Sequence, residues 1–368
     1  MKRAAILTAF DPEIHKGGIE TFILSLREIL SGQGIDVDIH YVYPACTLPV
    51  KDFPIRSLRS IIPETATGCF MMGRAFTAIE RNYDLVVSNN FYGMGYLSPV
   101  VKSIAVYHST HAGYADALKG IVDKKHYRLL KYIFGYSGDW LGGRGKKKIA
   151  VSRRVAHELG EYYKFKDIEV INHATDTDFF KKIEGVAGLR KKWDVPPDAF
   201  IGLFAGRWEP GKGIDILAEV IEKEKDILWL LAIGPSECNM DGHRNTRIIK
   251  NADRTAMREL YSISDFMLFP SYYEGFGLVI IEAMACKLPV ICTSAGVAED
   301  LAEMNDLKTL ILPSVDRQNL ITEICRRIAF LRSSGDGRLR IVDTGRKVVE
   351  SRYDMDSWTK KIIEIFSP

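Results

Sequence analysis

No apolar run in this 368-residue chain approaches the roughly 18–20 residues that a membrane-spanning helix requires. Cysteine is sparse and scattered. The six residues, Cys46, Cys69, Cys238, Cys286, Cys292 and Cys325, form no CxxC pair and no metal-ligand spacing. In a chain of this size they read as reduced core thiols of a cytoplasmic protein, which excludes a disulfide framework and structural zinc. No cluster of aspartates stands out, so neither a metal nor another cofactor is expected. Internal repeats and low-complexity segments are missing, and the first strand-to-helix turn lacks GxGxxG, which argues against a nicotinamide-dependent dehydrogenase. The net charge is only +3, and no nucleic-acid partner is expected. The opening MKRAAILTAF starts like a signal peptide, but Asp11, Pro12 and Glu13 cut its apolar run short. A buried first strand is the expected outcome.

What is present points to a soluble α/β protein. Hydrophobic residues make up 46% and charged residues 26% of a chain long enough for two cores. Short apolar runs alternate with amphipathic segments, as in parallel-sheet domains. Strands are expected at AAILTAF, VDIHYVY, DLVVSNN, SIAVYHS, KKIAVS and IEVINHA, and then at FIGLFAGR, ILWLLAIG, TRIIKN, FMLFPS, PVICTS and KTLILP. Residues 1–182 and 183–350 are read as two doubly wound domains facing a central cleft, with a linker around Pro196-Pro197. Residues 351–368 are read as a helix, starting at Ser357, that packs back on the first domain. Open α/β sheets bind ligands at the carboxyl ends of their strands.

Charge is unevenly spread. Residues 1–182 carry 25 basic against 19 acidic side chains, and the remainder 25 against 28. From Lys119 to Arg154 the count is 11 to 2, including Lys146-Lys147-Lys148. Such a run is either a solvated helical face or a surface for an anionic partner, a membrane or an acidic acceptor. Within it, LLKYIFGYSGDWL has the aromatic and aliphatic content of an interfacial segment, although core packing accounts for it equally well.

Three stretches carry chemistry. In FPSYYEGFGLVIIEAMA an apolar strand ends near Pro270, Gly275 and Gly277 flank Phe276, and a helix begins at about Leu278. Unpaired N–H groups at a helix start beside glycines make an anion cradle. Glu274 lies in the loop, and Glu282 lies a turn into an otherwise apolar helix, where a carboxylate needs a partner. In LFAGRWEPGKGID a strand ends at Gly206, and Arg207 and Lys212 follow in a glycine-bracketed loop. The planar fork of one and the point charge of the other suit a diphosphate. In the first half, Gly17-Gly18 form a short turn before a helix, and His108 ends a strand with His111 three residues later. A strand-end histidine is often structural, but this one lies at a ligand-binding edge.

Taken together, GGIET, VYH, IEVINHATDTDFF, GRWEPGKG and FPSYYEGFGLVIIEAMACKLPVICT resemble the retaining family-four glycosyltransferases (group 1), over nearly the whole chain. The resemblance implies the GT-B architecture and transfer of a sugar from a nucleotide diphosphate to a glycan or lipid-linked acceptor. An envelope polysaccharide or lipopolysaccharide pathway at the cytoplasmic face of a membrane would fit. It further implies that Gly17 and Gly18 meet the donor phosphates and that His108 touches the transferred sugar. Arg207 and Lys212 would grip the diphosphate, Glu274 the sugar hydroxyls and Glu282 the ribose. Gly275, Phe276, Gly277 and Leu278 would donate main-chain N–H groups, and the strand end at Ile249 and Lys250 would seat the base. Closure of the domains would exclude water. One departure is His173-Ala174-Thr175-Asp176, where the family has NGVD. The bulky Trp208 and Pro210 beside Arg207 are another. A nucleotide-sugar epimerase or phosphorylase of the same architecture, and a non-catalytic nucleotide-sugar binder, are the competing readings.

Overall fold

A computed structural model describes residues 2–15, 17–49, 63–235, 237–240, 243–313 and 316–367, apart from the Asn305 side chain. The chain divides into two compact units. Met1–Asn172 together with Trp358–Pro368 form one, and His173–Ser357 form the other, which includes Pro196 and Pro197.

The first unit is built on β1 (Arg3–Leu7), β2 (Asp36–His40), β3 (Leu85–Asn89), β4 (Lys102–Tyr107), β5 (Lys147–Ala150) and β6 (Ile168–Val170). They form one parallel sheet in the order β2-β1-β3-β4-β5-β6. Nearly every residue of β1, β3 and β4 is buried, because helices cover both faces of a parallel sheet and leave no polar side for alternation. The strand order turns back between β1 and β3. At such a switch the following loops diverge to opposite faces and open a crevice.

The second unit repeats this logic with β7 (Ile201–Gly206), β8 (Leu228–Ile233), β9 (Thr246–Lys250), β10 (Phe266–Phe269), β11 (Val290–Thr293) and β12 (Ile311–Leu312). All are parallel, in the order β12-β11-β10-β7-β8-β9. The switch lies between β7 and β10, and these two strands carry the GRWEPGKG and YYEGFGL segments at their carboxyl ends. All twelve apolar runs named from the sequence are strands. Both sheets are Rossmann-like.

Two local expectations need correction. The last helix spans Met355–Phe366, and its start is set by Asp354, whose Oδ1 accepts from the N–H groups of Asp356 and Ser357 at 3.0 Å each. A carboxylate at the cap position satisfies those donors, so Ser357 lies inside the first turn. The helix buries Trp358, Ile362 and Phe366. Phe22 of the first unit lies edge-on to Trp358 at 6.1 Å and to Phe366 at 6.4 Å.

The triple lysine is not a common solvated face. Lys146 is buried, and its Nζ donates to the carbonyls of Gly142, Tyr96 and Gly93 at 2.7, 2.8 and 3.3 Å. Burial pulls its ammonium down to about 7. Lys147 pairs with Glu169 at 2.7 Å, and Lys148 lies over the Phe165 ring.

Candidate functional site

In the second unit the polar groups gather at the β7/β10 switch. After Gly206 the chain passes through Arg207, makes a 3₁₀ turn at Pro210–Lys212 and enters the helix Ile214–Lys223 through Gly213. Gly213 has φ +67°, and a Cβ there would stand 2.1 Å from the carbonyl oxygen of Pro270. Only glycine combines a left-handed backbone with that approach. The two loops are also stitched by the Tyr272 N–H, which donates to the Gly211 carbonyl at 3.0 Å. Two loops far apart in sequence are thereby locked side by side.

The lock brings Lys212 to Glu274. Nζ donates to Oε1 at 2.5 Å, and both side chains are largely buried. Arg207 differs, being 72% exposed and paired with Glu209 at 3.1 Å. Each cation therefore has a carboxylate neighbour that balances its charge until a stronger anion competes. The Trp208 indole N–H donates to Asn239 Oδ1 at 3.2 Å, which holds this bulky residue against the loop beyond β8.

Glu274 leads into Gly275, Phe276 and Gly277. The last, at φ +94°, is the N-cap of the helix Leu278–Ala285, and no side chain caps that end. Its leading N–H groups present partial positive charge beside the Lys212–Glu274 pair. The Phe276 ring is buried between His173, 5.3 Å away, and Tyr353, 5.8 Å away. Its carbonyl accepts from the Val297 N–H at 2.7 Å. His173, which replaces the family's asparagine, is thus a buttress of this loop, and burial lowers its imidazole to about 4. One turn into the helix, Glu282 receives the Tyr261 O–H at 2.9 Å, the partner its apolar setting demands. Burial raises its carboxyl above the ordinary range, with Tyr261 and Arg254 opposing. Ile249, half-buried, and the exposed Lys250 end β9, an edge strand two places from β7.

In the first unit Gly17 is the N-cap of the helix Gly18–Gly32, again without a side-chain cap. His108 follows β4 and is buried. Its main-chain N–H donates to Asn90 Oδ1 at 2.8 Å, and its Nε2 lies 2.9 Å from Asn89 Oδ1. Asn89 donates its own Nδ2 to the Leu7 carbonyl, which leaves Oδ1 as acceptor and makes Nε2 of His108 the protonated nitrogen. The Phe22 ring closes the other side, 4.9 Å away. Neither asparagine was singled out from the sequence, although a strand ending in two asparagines was a usable signal. Asn90 takes the left-handed backbone, φ 45°, that asparagine tolerates.

Two cations, an uncapped helix start and two carboxylates at the switch of a Rossmann-like sheet make a site suited to an anionic, hydroxyl-bearing ligand. Sequence comparison narrows it. The family model described as Glycosyltransferase Family 4 matches residues 16–179, and that described as Glycosyl transferases group 1 matches residues 187–348. The chain belongs to these group 1, family 4 glycosyltransferases. Among curated relatives, the D-inositol 3-phosphate glycosyltransferase 2 of Catenulispora acidiphila is 26% identical over 346 residues, covering 80% of this chain and 79% of that one. Among solved structures, sucrose-phosphate synthase from Thermosynechococcus elongatus superposes with a TM-score of 0.77 at 20% identity, over 100% of this chain and 98% of that one. WaaG, a glycosyltransferase involved in lipopolysaccharide biosynthesis, gives 0.74 at 16% identity over 99% of each chain. Anabaena HepE, solved with UDP-glucose, gives 0.65 at 16% identity, also over 99% of each. The fold is accordingly GT-B.

Proposed function

We propose that this protein transfers a hexose from a nucleotide-diphosphate donor, a UDP-sugar or GDP-mannose, to a glycan or lipid-linked acceptor with retention of configuration. The observation that carries this reading is the Lys212–Glu274 pair, held beside the start of Leu278–Ala285 by the Gly213–Pro270 contact. In the mechanism we assign, the acceptor hydroxyl attacks the anomeric carbon on the face from which the diphosphate departs. The new C–O bond forms as the old one breaks, the electron pair leaves on the phosphate, and that phosphate oxygen takes the hydroxyl proton. Lys212, Arg207 and the helix N–H groups stabilise the growing charge. Glu274 is assigned to the sugar hydroxyls, Glu282 to the ribose, and Ile249 and Lys250 to the base. His108 and the Gly17-Gly18 turn are assigned by resemblance to the sugar and the donor phosphates. The cations do a metal's work on the diphosphate, so turnover should persist in chelator.

A donor screen read by nucleotide release, with acceptor extracts, tests this reading. NMR of the product's anomeric proton then decides retention. Donor epimerised without an acceptor, or turnover strictly dependent on free phosphate, would displace it. WaaG, one of the structural neighbours named above, is involved in lipopolysaccharide biosynthesis, which supports an envelope pathway. No helix among the described residues is long and apolar enough to cross a membrane. For membrane contact we assign the exposed aromatics Tyr132, Tyr136 and Trp140, four residues apart in sequence, with the exposed Lys124, Lys125 and Arg128 just before them. Co-flotation with phosphatidylglycerol vesicles at low salt, lost in a Tyr132→Ser/Trp140→Ser variant, is the expected result.

A further inference from the structure

Tyr272 opens the YYEGFG segment, yet the scheme above gives it no part. Lysine carries a point charge on a flexible stem. To meet a growing negative charge at a fixed place, it needs its ammonium tethered and its backbone held on both sides. Lys212 has the tether in Glu274. Beside the Gly213–Pro270 contact, the backbone hold comes from one residue. The Tyr272 N–H donates to the Gly211 carbonyl, and its O–H donates to Asp215 Oδ2 at 2.9 Å. Gly211 immediately precedes Lys212, and Asp215 follows it in the first turn of the helix Ile214–Lys223. Tyr272 therefore bridges the chain from one side of Lys212 to the other. It also stands just ahead of Glu274, so both members of the ion pair take their place from the same residue.

The two ends of the bridge are themselves fixed. On the strand side, the Thr293 hydroxyl donates to the Ser271 carbonyl at 2.5 Å, which ties the residue before Tyr272 to the end of β11. On the helix side, Arg317 holds Asp215 twice, with Nε 3.3 Å from Oδ2 and Nη2 donating to the Asp215 carbonyl at 3.1 Å. Its Nη1 donates to Glu219, one turn further along the same helix, at 2.5 Å. A planar fork with three acceptors has little freedom left. The Arg317 and Asp215 side chains are 49% and 43% exposed, and ion pairs in such settings add little to stability. What the arrangement supplies is geometry, since the acceptor for the phenol is kept in one place. Partial burial, and then the hydrogen bond to Asp215, push that phenol up to about 12. It stays a donor throughout the neutral range.

We propose that Tyr272 is a positioning residue that sets the Lys212–Glu274 pair in register with the start of Leu278–Ala285, with Asp215 as its anchor and Arg317 as the brace behind that anchor. The consequence for turnover rests on the glycosyl-transfer reading. The consequence for the placement of Lys212 does not.

Tyr272→Phe in the full-length protein removes the hydroxyl and keeps both the ring and the main-chain bond to Gly211. It should lower kcat by roughly ten- to a hundredfold, as small displacements of a reacting-site group do, with a smaller change in donor KM and a Tm close to that of the wild type. Asp215→Ala should do the same from the other end of the bond, and Asp215→Asn, which retains an acceptor, should restore most of the lost rate. A merely structural tyrosine would add its effect to that of any other residue. One that acts through Lys212 cannot, so in a Lys212→Ala background Tyr272→Phe should cost no further turnover. The direct readout is the Lys212 ammonium signal in protein labelled with 15N-lysine, assigned by its loss in Lys212→Arg. It should move in Tyr272→Phe with no nucleotide present. An unmoved Lys212 signal, or equal rate losses from Tyr272→Phe with and without Lys212, would overturn the proposal. A moved signal in a protein that releases no nucleotide diphosphate from any donor would keep the positioning and remove the transferase. Wild-type turnover in both Tyr272→Phe and Asp215→Ala would remove the positioning and keep the transferase.

Discussion

Lys212 and Glu274 are each other's nearest opposite charge, so removing one leaves the other largely buried and unbalanced. Lys212→Ala should lower kcat by roughly 10²–10³, the effect of losing one preorganised transition-state donor, with a smaller change in donor KM. Steady-state kinetics on the best donor provide the check, and wild-type turnover would remove Lys212 from the mechanism. Glu282 makes a different kind of prediction. Its folded pKa is raised, so the folded protein binds this proton more readily than the unfolded chain. The associated stability is complete at acid pH and declines as pH rises through the folded value. Glu282→Gln should therefore raise Tm at pH 7 relative to its effect at pH 4. If the carboxylate holds ribose hydroxyls, the same change should weaken nucleoside diphosphate binding by roughly 10–100-fold, since hydrogen bonds to a charged acceptor contribute about 1.5–3 kcal/mol. Thermal denaturation and calorimetric titration of one variant read both effects.

Elements were legible where one segment's own residues determine them. Apolar runs such as ILWLLAIG and FIGLFAGR have to be buried and are too short for a core helix, and each became a strand at about its expected place. The loops were legible in composition but not in contact. GKG advertised a turn, yet nothing local announced that Gly213 would meet the carbonyl of Pro270, because strand pairing across the switch makes that contact. The same holds for Asn89 beneath His108 and for Asp139 beneath His111, whose partners lie 19 and 28 residues away. Three consecutive lysines suggest a surface run, but Lys146 is buried. Its three carbonyl acceptors come from segments that fold around it. Gly213→Ala should cost roughly 1–3 kcal/mol from the left-handed backbone alone, plus the clash, and should lower turnover by displacing Lys212. Urea denaturation alongside kinetics would show both. Lys146, with a folded pKa of about 7, binds its proton less readily than in the unfolded chain. Its contribution to stability should be complete near the unfolded value and vanish as pH falls to about 7. A Lys146→Met variant should lack that rise in stability between neutral and alkaline pH.

On the scale of the whole molecule, the first unit draws on both ends of the sequence. Trp358 and Phe366 pack on Phe22, which in turn lies against His108, and Lys102 Nζ donates to the Ser367 carbonyl at 2.6 Å. Trp358→Ala should cost about 3–5 kcal/mol, the usual penalty for truncating a buried large aromatic. Hydrogen exchange should show the loosening around Phe22 and His108 and leave β7 to β12 protected. The second unit, in contrast, is one uninterrupted stretch, and its two ends are tied to each other, since the Thr175 N–H donates to the Tyr353 carbonyl at 2.8 Å. It is thus an insert with paired ends, spliced into a host whose own sequence is split around it. On the ribosome the inserted unit can finish folding before the host segment that starts at Trp358 has emerged. In evolution or in the laboratory, the same arrangement would let the inserted unit be exchanged for another through two neighbouring joints.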